Sequence, residues 1–144
     1  MTKATRKAIK LLLENLQQNG YHIFVTVKVN GLRCRFLVDT GASKTVIDKT
    51  YVEKKFGKRI LKTIKQQTTG LHSTTHESYT ARVATLTLGT VVVKNCTLAA
   101  IDLSHVNGTY AALKTKKIQG ILGSDLMVQE RMIIDYNTLT LSFA

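Results

Sequence analysis

Acid–base chemistry on water or on a carbonyl needs carboxylates, and this chain of 144 residues has only nine Asp and Glu against 21 Lys and Arg. Glu14, Glu53, Glu77 and Glu130 fall on polar segments. Asp48, Asp102 and Asp125 stand where helix caps are expected, with Ser104 and Ser124 as alternatives to the last two, and Asp135 precedes a turn. Asp39 is different. It ends the apolar run Phe36-Leu37-Val38 and begins Asp39-Thr40-Gly41-Ala42-Ser43. A carboxylate at the end of a buried strand is costly to desolvate unless hydrogen bonds or reaction chemistry require it. Thr40 adds a hydroxyl, and Gly41 lets the backbone turn closely and aim amides at the carboxylate. A strand-end turn would also use Asp and Gly, so the tripeptide alone decides little. His22, His72, His76 and His105, with Cys34 and Cys96, form no pair at zinc-finger spacing, and 72–76 reads as a loop; no metal and no cofactor is expected.

A second element lies far downstream. Ile121-Leu122-Gly123 is followed by Ser124-Asp125-Leu126 and then by Ile133-Ile134-Asp135-Tyr136. In this order and spacing the two elements resemble the aspartic proteases, specifically their retroviral-type, single-domain branch, and look most like its bacterial members. The resemblance covers 21–144 and leaves 1–20 outside the usual viral core. It implies a mostly β, closed barrel of the retropepsin-like acid-protease fold with short helices. It also implies that Asp39 is catalytic, supported by Thr40, Gly41, Ala42 and Ser43. Ile121, Leu122 and Gly123 would pack beside the catalytic loop, the glycine permitting close backbone passage. The hairpin 67–78 would be a flap, with Gly70 and Leu71 over the substrate. Pepsin-like enzymes usually carry Ser where this chain has Ala42, as retroviral enzymes do. Fewer donors stabilise the ionised form less, so the carboxylate pair should titrate higher than pepsin's.

Aspartic peptidase chemistry needs two carboxylates sharing a proton, yet none of the other four aspartates is followed by Thr-Gly or Ser-Gly. The second carboxylate must come from another copy, so a homodimeric endopeptidase acting on peptides or proteins is expected, without metal or covalent intermediate. Two rivals belong to other classes: a catalytically silent dimerisation or peptide-binding module of the same fold, and a basic nucleic-acid-binding β-domain. The formal charge of +12 and the run of Lys44, Lys49, Lys54, Lys55, Lys58, Arg59, Lys62 and Lys65 suit the last. No nucleic-acid motif accompanies them and the aromatics are scattered, so they read as a solvated face or one that steers acidic substrates.

These residues need elements to place them. Ile9, Leu12, Leu13 and Leu16 recur at i, i+3, i+4 and i+7 before Asn19-Gly20, which predicts an amphipathic helix over 1–20 with Lys3, Arg6, Lys7 and Lys10 on its other face. The helix would pack on the domain formed by 21–144 or on a partner subunit. Segments 23–29 and 32–38 flank Asn30-Gly31 and predict a hairpin. A helix should follow Asp48 to about position 56, strands should occupy 60–66, 79–88 and 91–101, and a helix 105–114. Lys114, Lys116 and Lys117 suit that helix's C-terminus. A short helix after Gly123 and a hairpin of 132–136 with 139–143 finish the chain. There is no proline, so the strands are unbroken. The two cysteines suit buried free thiols in a reducing compartment. Apolar runs are far too short to span a bilayer, and the first residues lack a secretory apolar core, so membrane contact is not expected and the sequence reads as cytoplasmic.

Overall fold

A turn sets the register of the first half of the chain. In the computed structural model, which describes residues 5–67 and 75–144, Asn30 and Gly31 have φ of 48° and 83°. Two positive φ values are what a type I′ hairpin turn demands, and Asn-Gly supplies them at least cost. The turn joins β3 (Tyr21–Val29) to β4 (Leu32–Val38), pairing Val29 with Leu32 and Phe24 with Leu37. The Asn30 side chain then accepts from the amides of Ala84 at 2.8 Å and Thr85 at 3.2 Å, fastening this hairpin to β7 (Thr75–Leu88).

The remaining strands are β1 (Ile9–Lys10), β2 (Leu12–Asn15), β5 (Val46–Asp48), β6 (Leu61–Gln67), β8 (Val91–Ile101), β9 (Gly120–Leu122), β10 (Met132–Asp135) and β11 (Thr140–Phe143). Three short helices join them: α1 (Lys49–Lys55), α2 (Ser104–Ala112) and α3 (Ser124–Gln129). Six strands, β3-β4-β9-β5-β8-β7, close into a barrel because β7 returns to pair with β3 through Lys28–Thr87 and Val29–Leu86. Alternation puts one face of each strand inside: Val25, Val27, Val29, Phe36, Val83, Leu86, Leu88 and Leu98 are buried. A second cluster of Leu16, Phe24, Val46, Leu103, Tyr110 and Ile118 seats α2 on the outside. The fold is the mostly β barrel with short helices that the sequence implies.

The predicted N-terminal helix is replaced by strands. Of residues 5–20, β1 pairs with β11, β2 pairs with β3, and Gln17–Asn19 is a single 3₁₀ turn. Leu11 and Leu16 are buried, whereas Leu12 and Leu13, two of the supposed apolar stripe, are 40% and 42% exposed. The edge of β3 otherwise presents unpaired backbone groups, and a strand added there satisfies them while a helix cannot. Arg6, placed on a free basic face by the helical reading, instead bonds Glu130 and lies 5.3 Å from the Phe143 ring centroid.

Other expectations shift at the capping positions. Asp48 precedes α1 but its carboxylate accepts from Leu103 N at 3.1 Å, and neither Ser124 nor Asp125 is the N-cap of α3, which is Gly123. Helix α2 ends at Ala112, so Lys114, Lys116 and Lys117 lie beyond its C-terminus. Strands β6 and β7 pair as far as Gln67–Thr75, one residue beyond the expected end of the first and four before the expected start of the second. Among the described residues no helix is long and apolar enough to cross a membrane.

Both cysteines are free and buried. Burial pushes the Cys34 and Cys96 thiols up from their ordinary value, and the nearby Asp125 charge adds to the shift of Cys96. Thiolate is the reactive form, so a disulfide-exchange reagent at mildly alkaline pH should label both thiols roughly tenfold or more slowly in the folded protein than in urea. Labelling at the rate of a free thiol before unfolding would contradict this packing.

Candidate active site

Strand β4 delivers Asp39. Its last residue, Val38, pairs in parallel with Leu122 of β9, and Asp39 N extends the ladder by donating to Leu122 O at 3.0 Å. The chain then turns, with Ala42 N bonding Asp39 O at 3.1 Å. Gly41 N donates to Asp39 Oδ1 at 3.0 Å, so the backbone does aim an amide at the carboxylate. A Cβ on Gly41 would sit 3.3 Å from that same oxygen, close enough that the carboxylate would have to shift to admit it. The Asp39 carboxylate is half-buried and opens to solvent, where Thr40, Gly41 and Ser43 are exposed.

The second element lies directly beneath. Ser124 N donates to Ala42 O at 2.7 Å, and a Cβ on Gly123 would fall 2.7 Å from the carbonyl of Lys44 and 2.9 Å from Ala42 O. No side chain fits there, so Gly123 is where the two backbones pass. Leu122 is buried and Ile121 half-buried at its side. The structure thus brings Asp39, Gly41, Ala42, Ile121, Leu122 and Gly123 into one unit. Gly70 and Leu71 lie outside the described residues.

Two residues to which sequence reasoning assigns no such role hold this unit together. Thr45 is fully buried, donates through Oγ1 to Asp125 Oδ1 at 2.7 Å, and accepts from Gly123 N at 3.0 Å. Its own amide reaches the same Asp125 oxygen at 2.9 Å. Asp125, expected as a cap, is therefore a brace between the Asp39 loop and α3. The available clue was its place two residues after Gly123, in a chain with few carboxylates to spare.

Beyond the loop, buried Tyr110 of α2 lies close enough to feel the Asp39 charge. Burial is the main cause of its raised pKa, with Arg35 opposing and Asp39 adding. Its hydroxyl is 2.9 Å from His22 Nδ1. Among the described residues no group of three or more His, Cys, Asp or Glu could hold a metal ion.

The brace generates a test. Thr45→Val keeps the shape but strands the Gly123 amide and removes a donor from Asp125, which should cost about 1–3 kcal/mol. Thr45→Ser should recover most of it. Urea unfolding of the three proteins checks the order, and a valine variant as stable as the parent would contradict the brace.

Comparisons with known proteins agree with this geometry. The profile of the family described as aspartyl protease matches residues 25–126. A retropepsin-like aspartic protease from Rickettsia conorii superposes with a TM-score of 0.59 at 21% identity, covering 99% of this chain and 97% of that one. The retroviral protease-like domain of Ddi1 from Leishmania major gives a TM-score of 0.54 at 15% identity, covering 84% and 92%. At these identities the two structures share the fold. No curated protein sequence is similar enough to match. The family profile runs from the first barrel strand through Asp39, Gly123 and Asp125, and the chain, which has the retropepsin-like fold, belongs to the aspartyl protease family.

Proposed function

We propose that the protein is an aspartic endopeptidase that works as a homodimer, with Asp39 of each copy supplying one carboxylate of a shared site. The observation that carries this reading is the setting of Asp39: a half-buried carboxylate held by one amide on a braced loop, in a member of a family whose chemistry needs two. A twofold axis beside Asp39 supplies the second from an identical surface. Thr40, exposed next to it and without a side-chain hydrogen bond among the described residues, buttresses its symmetry mate across that axis.

The chemistry follows from one proton on two carboxylates. The ionised Asp39 takes a proton from a water molecule as its oxygen bonds to the scissile carbonyl carbon. The protonated Asp39 of the second copy donates to the carbonyl oxygen as charge builds there. Collapse of the tetrahedral intermediate breaks the C–N bond while the amine nitrogen takes up a proton. Lys44, exposed on the loop that follows Asp39, favours acidic substrates.

Asp39→Asn should abolish cleavage of a peptide library while leaving the protein folded, because the loop hydrogen bond from Gly41 survives and a like-charge pair is removed. Undiminished cleavage by the variant would sink the assignment, and binding of the peptides without cleavage by the parent would favour a silent binding module. Rate against pH should be bell-shaped with a mildly acidic optimum, as two coupled carboxylates require. A rate that climbs steadily past neutral pH would count against a shared proton. Specific activity should fall on dilution as dimers dissociate, and a monomer with full specific activity would overturn the shared site.

A further inference from the structure

Away from Asp39, the outer face of the barrel gathers cations into a concavity. Cys34 and Phe36 of β4 point inward, so Arg33 and Arg35 point out. The segment after α2 crosses beside them. It is pinned by Thr115 N to Tyr110 O at 2.9 Å and by the paired bonds of Asn107 with Ile118, Ile118 N to Oδ1 at 2.8 Å and Nδ2 to Ile118 O at 2.9 Å. Gln119 N donates to Arg35 O at 2.9 Å, and Gln119 Oε1 accepts from Arg35 N at 2.7 Å. These bonds hold the segment that carries Lys116 and Lys117, which line a cleft of about 560 Å³ together with Arg33, Arg35 and Thr26.

Three features distinguish this cleft from a solvated basic face. Four cations line it and no carboxylate does; the nearest acid partner, Glu14, touches Arg35 only at 3.4 Å and is 41% exposed. Arg35 is already ordered, with its guanidinium 3.9 Å from the Phe24 ring centroid and its side chain 14% exposed. With Gln119 Oε1 engaged, the free end of that side chain is an NH₂ donor. Clustered like charges repel unless an anion neutralises them, and stacked arginine is suited to bidentate phosphate binding. The volume lies in the small-molecule range of roughly 300–1,000 Å³.

We infer that this cleft binds a small anion carrying two or more linked phosphates, through Arg33, Arg35, Lys116 and Lys117. A single carboxylate would leave three of the four charges uncompensated, and a single phosphate, at about −2, would leave about two. The phosphate chain could be inorganic or belong to a nucleotide. Both present the same oxygens, and the experiment separates them.

Calorimetric titration of the purified protein with inorganic tripolyphosphate, and separately with ATP, tests the site at about 150 mM salt, where the Debye length is about 8 Å and distant charges are screened. One saturable site per chain is expected. Lys116→Gln/Lys117→Gln should weaken binding by about tenfold or more. Lys54→Gln/Lys55→Gln, which removes two exposed cations of α1 that do not line the cleft, should leave it unchanged. ATP tighter than tripolyphosphate assigns a nucleotide, and equal affinity assigns the phosphate chain. No saturable binding, or equal weakening by both double variants, overturns the site. A short single-stranded oligonucleotide that binds tightly and loses affinity in both variants overturns it in favour of a nucleic-acid surface. All four surface substitutions are at exposed positions, and heat unfolding confirms that each variant is folded. Binding is read without peptide hydrolysis, so the result stands apart from the peptidase reading.

Discussion

Parallel pairing of β4 with β9 is a short ladder, Phe36–Gly120 to Val38–Leu122, and the candidate site depends on it. It joins segments far apart in the chain, and closing such a loop costs entropy before any contact repays it. Two glycines let the ladder form. A Cβ on Gly120 would overlap the Phe36 ring and lie 2.6 Å from Val46 O, while one on Gly123 would lie 2.7 Å from the Lys44 carbonyl. With both absent, β9 slots between β4 and β5 and pairs with each, parallel to one and antiparallel to the other. Asp39 is then the first residue past a rigid ladder rather than part of a loose loop. The Thr45–Asp125 brace locks the far side of the same turn.

That arrangement explains which parts were legible in the sequence. Asp39-Thr40-Gly41 and Ile121-Leu122-Gly123 are local strings: a carboxylate and an amide donor could be read from residue type at the first, whereas the backbone crossing at Gly123 was legible only through the family resemblance of the two strings taken together. The Asn30-Gly31 hairpin was legible from residue type, since the positive φ values are a property of those two residues. The Thr45–Asp125 bond spans 80 positions, and neither residue is unusual where it stands. Only the fold gives Thr45 a buried place and Asp125 something to brace.

Segment 5–20 failed differently. Its apolar spacing fits a helix, but spacing measures only what the segment could do alone. Strand β3 needs a neighbour on its outer edge and β11 needs one on its free side, and both demands are non-local. The burial of Leu11, absent from the helical stripe, and the exposure of Leu12 and Leu13 show the sheet's requirement outweighing the segment's own periodicity.

Scarce acid gives the chain a consistent economy of charge. Each of the five aspartates accepts from a backbone amide: Asp39 from Gly41, Asp48 from Leu103, Asp102 from Ser104, Asp125 from Thr45 and Leu126, Asp135 from Asn137 and Thr138. For Asp102 and Asp135 these bonds lower the pKa from the ordinary 3.8. A depressed carboxylate stabilises the fold above its unfolded pKa, and that contribution is lost as pH falls through the folded value. The start of α2 and the β10–β11 turn therefore keep their fastenings through mild acidity and release them only below the ordinary carboxylate range.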